Sequence, residues 1–116
     1  ATTGSTEGFV SSGAWSARSW VFECSSSESA QTATTALIAY YRNNGFTTVS
    51  APPAPAGATA VLRDQPGDAR LHAEYVSDAT VVMVEVSGTT VADAQTGLST
   101  IYKAVSPRLP STFAVA

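Results

Sequence analysis

The 116-residue chain contains one histidine and one cysteine, so nucleophilic and soft-metal chemistry have few residues to draw on. His72 stands in Arg70–Val76, RLHAEYV, between an arginine and a glutamate at alternate positions. A cysteine–histidine hydrolase would need Cys24 as nucleophile within hydrogen-bond reach of His72 as base. Cys24 ends the run Ser16–Cys24, SARSWVFEC, in which Trp20, Phe22 and Cys24 alternate with Ser19, Val21 and Glu23. A strand's period of two puts the thiol among core side chains, buried and unreactive, on the face opposite His72. Two such residues are also too few for a transition-metal site within one chain. Asp64 and Asp68 flank QPG without the spacing of a calcium loop. Of the nearest carboxylate pair, Glu23 faces solvent and Glu28 serves a helix start, which leaves no acid–base couple. Neither a nucleophile elbow nor a phosphate-binding or dinucleotide fingerprint occurs. The expectation is therefore no catalytic, cofactor-binding or metal-ligating set, and no cofactor.

Composition narrows the partners. Hydrophobic residues are 44% of the chain, enough for one packed core, whereas charged residues are only 13%, below the roughly 25% usual in soluble domains. The net charge is −3 and no Lys/Arg cluster could follow a phosphate backbone, so nucleic acid is not an expected partner. No apolar run approaches the roughly 18 residues that span a bilayer. The opening ATTGSTEG is small and polar, and residues 1–12 read as a flexible tether left by removal of a signal or lipid anchor. That predicts an exported protein, bound to a membrane only through such an anchor. Residues 13–110 form the single domain, and 111–116 a tail.

The elements that must position these side chains follow from periodicity. After the strand ending at Cys24, Ser25 and Glu28 have capping-box spacing, and a helix is expected to run to Asn44. Its apolar positions are Ala30, Ala33, Leu37, Tyr40 and Tyr41, and Gly45 supplies a left-handed residue beyond its end. A short strand at FTTVS precedes the proline-rich loop of residues 51–58. Three alternating runs follow, separated by QPGD and SDAT. Thr90 and Asp93 then open a second helix, whose stripe is Val91, Ala94, Leu98, Ile101, Tyr102 and Val105 and whose end is Pro107. Gly97 weakens that helix by about 1 kcal/mol relative to alanine, which suits a place where it lies close against the sheet.

Turns at Pro66–Gly67 and Asp78–Ala79 set Leu62 opposite Leu71, Leu71 opposite Val86, Ala73 opposite Val84 and Tyr75 opposite Val82. A slip of one residue would scatter this apolar face. The fold class predicted is α+β, a two-layer sandwich in which a mostly antiparallel sheet carries both helices on its Leu71 face, in the order β-α-β-β-β-β-α. In element order this resembles the β-α-β4-α arrangement of TBP-like and helix-grip folds, though fold alone assigns no activity. The opposite face then points outward. It carries Val61, Arg63, Arg70, His72, Glu74, Val76, Val81, Met83 and Glu85, with His72 across from Glu85. A mixed apolar and charged face of this kind is an expected contact surface for a protein partner or a second copy. The expected function is accordingly a non-enzymatic, exported interaction or sensor domain. The alternative is a carrier of small apolar ligands in a pocket lined by Trp15, Trp20, Tyr40, Tyr41, Tyr75 and Tyr102, and an enzyme of unknown class comes third.

Overall fold

A computed structural model describes residues 2–49 and 58–112, with the side chains of 2–7 left aside. Its elements are β1 (Thr2–Ser12), β2 (Trp15–Cys24), α1 (Ser27–Arg42), β3 (Thr47–Val49), β4 (Thr59–Gln65), β5 (Asp68–Ser77), β6 (Thr80–Gly88) and α2 (Val91–Val105). The strands form one antiparallel sheet of six, in the order β1-β2-β6-β5-β4-β3. The α+β class and the antiparallel sheet agree with the sequence, as do the registers of the C-terminal half. Leu62 faces Leu71, Leu71 faces Val86, Ala73 faces Val84 and Tyr75 faces Val82.

Local chemistry fixes the element ends. Ser26 caps α1 by accepting from the Ser29 N–H at 3.0 Å, and Thr90 caps α2 by accepting from the Asp93 N–H at 3.2 Å. Gly45 and Gly67 have φ of +89° and +72°, conformations that a Cβ disfavours. Gly97 is where α2 meets the sheet, for a Cβ there would stand 2.6 Å from Val86 Cγ1 and 2.8 Å from the Trp15 ring.

Three expectations are corrected. Thr2–Ser12, read as a tether, forms β1 and pairs along β2 from Thr2–Cys24 to Ser12–Trp15. Small polar residues serve an exposed edge strand as readily as a tether, so composition did not separate them. At the other end Thr112, placed in the tail, donates its N–H to Val76 O at 2.8 Å. Most of the proline-rich loop, and residues 113–116, lie outside the described residues.

The third correction decides the site. The helices lie on opposite faces of the sheet. α2 packs Ala94, Leu98, Ile101 and Tyr102 on Leu71, Ala73, Tyr75 and Val84. α1 packs Ala30 and Ile38 on Val61, Val76, Val81 and Met83. The face expected to point outward is thus covered by the chain's own helix. Val61, Val76 and Val81 are fully buried and Met83 is 8% exposed, so they form a second core and not a contact surface. Burying each such side chain contributes roughly 1.5–3 kcal/mol, which is what holds α1 down.

Candidate functional site

Residues directly opposite in antiparallel strands point to the same side of a sheet, so pairing alone defines rows across the α1 face. One row is Phe9, Arg18, Glu85, His72 and Val61, and the next toward the sheet's end is Ser11, Ser16, Ser87, Arg70 and Arg63. α1 begins beside the Cys24 end of β2 and runs toward these rows. Its 16 residues reach about 24 Å, whereas the nine residues of β6 extend about 30 Å. The helix therefore stops over the His72 row and leaves the end of the face open.

At that boundary Tyr41, in the last turn of α1, lies flat on the His72 imidazole with ring centroids 3.8 Å apart. His72 and Glu74 are both fully buried. His72 Nε2 bonds the Glu74 carboxylate, while Nδ1 lies 3.4 Å from Glu85 Oε1, a longer charge contact. The Tyr41 hydroxyl donates to the same Glu85 oxygen at 3.0 Å. With a carboxylate at each ring nitrogen, the cationic imidazolium is the form that serves both. Burial opposes that charge, but the Glu74 and Glu85 carboxylates outweigh it and hold the His72 pKa above its ordinary value. Burial pushes the Glu74 carboxyl up, partly offset by His72. Glu85 is held below the usual range by His72, against the opposing pull of burial. Burial and the Glu85 charge raise the Tyr41 hydroxyl. Glu74 Oε1 has no hydrogen-bond partner among the described residues. The two carboxylates converge on opposite nitrogens of one ring and not on a common point, so the cluster does not form a cation site.

Beyond Tyr41 opens a cleft of about 530 Å³. Phe9, Trp20 and Tyr41 supply its aromatic wall, and Arg18, Arg70 and Glu85 its charges, with Ser16 and Ser87 between them. Glu85, whose side chain is 23% exposed, connects the buried cluster to this opening. Arg70 stands 3.9 Å from Asp68, beyond hydrogen-bond range. Arg63, opposite Arg70 on β4, lies over the Phe46 ring at 5.2 Å.

The residues expected on one contact face thus separate. His72 and Glu74 form a buried polar cluster, Val61, Val76, Val81 and Met83 belong to the α1 core, and Arg63, Arg70 and Glu85 remain toward the open end. The pairing of His72 with Glu85 was legible from register; the roles of Tyr41 and Arg18 were not, because they depend on α1 crossing this face and on β2 lying beside β6. Cys24 is partly buried and not fully so, and packs on the α1 side with Trp20 and Phe22. It therefore shares His72's face, contrary to expectation, but lies six residues along β2 from His72's row, about 20 Å away. The six aromatic residues expected around one pocket are also divided. Trp15, Tyr75 and Tyr102 belong to the α2 side, Trp20 and Tyr41 to the α1 side, and Tyr40 is 62% exposed. No helix among the described residues is long and apolar enough to cross a membrane. No protein-family model, curated protein or solved structure matches the chain.

Proposed function

We propose that this is a non-enzymatic binding domain whose site is the cleft beside the C-terminal end of α1, and that its ligand is a small molecule with both polar and apolar parts. The observation that carries the proposal is the convergence of three aromatic and three charged side chains around one opening of about 530 Å³, within the roughly 300–1,000 Å³ usual for ligand sites. The lining is mixed, so a purely apolar cargo fits it less well than an amphiphilic one. Support for binding over catalysis comes from the placement of reactive groups. His72 is sealed beneath Tyr41, and Glu85, which does reach the cleft, is held below the ordinary carboxylate range and is correspondingly a weak base.

One observation favours a second mode, contact with a protein. β1 is an edge strand, and Phe9 and Val10 on it are 62% and 46% exposed. Edge strands present main-chain groups to which a partner's strand can pair.

Amide NMR with a panel of aromatic acids, amines and amides tests the ligand reading. Saturable shifts confined to Phe9, Arg18, Trp20, Tyr41 and Glu85 are expected, and Tyr41→Ala should abolish them while circular dichroism stays folded. If no compound produces saturable shifts at these residues, the ligand proposal fails.

A further inference from the structure

Among the described residues, arginines outnumber carboxylates at the open end of the α1 face, where the carboxylates are Glu85 and Asp68. Arg18, Arg63 and Arg70 occupy the open end of the α1 face, whereas the Glu85 carboxylate there already takes the Tyr41 hydroxyl and faces His72 Nδ1. Arg63 and Arg70 are direct cross-strand partners, and like charges so placed destabilise a sheet. The Nε of each is buried with no hydrogen-bond partner among the described residues, although arginine donors removed from water normally find acceptors. Asp68 approaches Arg70 only to 3.9 Å, so an acid group that hydrogen-bonds both Arg18 and Arg70 would supply what no carboxylate among the described residues does here. Arg18 and Arg70 project from strands separated by β6 and from adjacent rows, so their backbones are about 12 Å apart. Two arginine side chains can close that gap on one carboxylate, with the fork geometry suited to it. Phe9, Trp20 and Tyr41 then wall the space that the rest of the molecule would occupy.

We propose that the cleft selects small organic anions, with the acid group held between Arg18 and Arg70 and an apolar ring set among Phe9, Trp20 and Tyr41. This rests on the cleft being a binding site and names the chemical class it takes. Phenylacetate, phenylacetamide and phenethylamine carry the same ring with negative, zero and positive charge, and titrating each into the protein by calorimetry and amide NMR tests the selection. Phenylacetate should bind about tenfold or more tighter than phenylacetamide, as charge-assisted hydrogen bonds imply, and phenethylamine most weakly. Arg18→Gln and Arg70→Gln should each weaken phenylacetate more than phenylacetamide and so narrow the gap between the two. Equal binding of acid and amide, or a preference for the amine, overturns the anion assignment and leaves the cleft a binding site. If phenylacetate fails while other compounds of the panel shift cleft residues, the assignment is again overturned. If nothing shifts those residues, the binding site itself is refuted. The charge series uses the unaltered protein, so the outcome does not depend on either variant folding.

Discussion

His72 and Glu74 are the most consequential pair of side chains, because neither touches water. Removing one partner of a buried ion pair costs about 3–5 kcal/mol, whereas replacing both with apolar residues of similar volume is often neutral or stabilising. His72→Ala should therefore destabilise strongly in urea titrations, and His72→Leu combined with Glu74→Leu should recover most of the loss. An exposed cross-strand pair would instead be worth only about 0.2–1 kcal/mol. The pH dependence has two signs. A raised His72 pKa gives stability fully present below the unfolded value of about 6.5 and lost as pH rises through the folded value. Glu74, raised by burial, works in the same direction from its lower unfolded value upward. Glu85, depressed by His72, gives stability present above its unfolded pKa and lost as pH falls through the folded one. Thermal melts should accordingly show an optimum in mildly acidic solution, and the alkaline decline should flatten in the double variant.

At the scale of elements, the question is which face each helix covers. Met83 lies under α1 and directly opposite Glu74. Met83→Glu would bury a second carboxylate beside the first and should cost several kcal/mol, against less than about 1.5 kcal/mol for Met83→Leu; denaturant midpoints will separate them. Gly97→Ala tests α2 in the same way. Alanine favours a helix by about 1 kcal/mol, but its Cβ would meet Val86 and the Trp15 ring inside 3 Å. The overpacking costs about 1–3 kcal/mol, and a lowered melting temperature is expected. Strand register was legible because Leu62, Leu71 and Val86 align in only one pairing, and the cap of α2 was legible from Thr90 and Asp93, whereas α1 is capped by Ser26 and not by the expected Ser25. The side taken by α1 was not. Arg70, His72 and Glu74 alternate as a solvent face does, and periodicity records polarity without recording that Tyr41 stacks on the histidine and Glu85 closes the cluster. Ile38 and Thr34, which bury the helix, fell outside the expected stripe, while Tyr40 within it is exposed.

Across the whole molecule, the sheet is a septum between two cores, and the difference between them is the functional clue. The α2 side packs apolar residues around Tyr75 and Tyr102, whose hydroxyls burial pushes up, that of Tyr75 to about 12. The α1 side carries charge into its interior and opens at one end, where β1 adds Phe9 to the cleft wall. Edge strand β1 and the order of the strands were the parts least visible in sequence, since pairing between distant segments leaves no local period. The central claim is that His72 and Glu74 of β5 form a buried floor beneath α1, paired with each other and with Glu85, and that the cleft begins at Arg70, where this cover stops. A single histidine makes that claim directly measurable, because its ring signals need no assignment by mutation. Nitrogen-15 NMR of the imidazole across pH should show an imidazolium that persists above the ordinary pKa of about 6.5, with ring N–H protons exchanging slowly with water. A histidine that titrates near 6.5 and exchanges freely would place His72 on the surface and contradict the account.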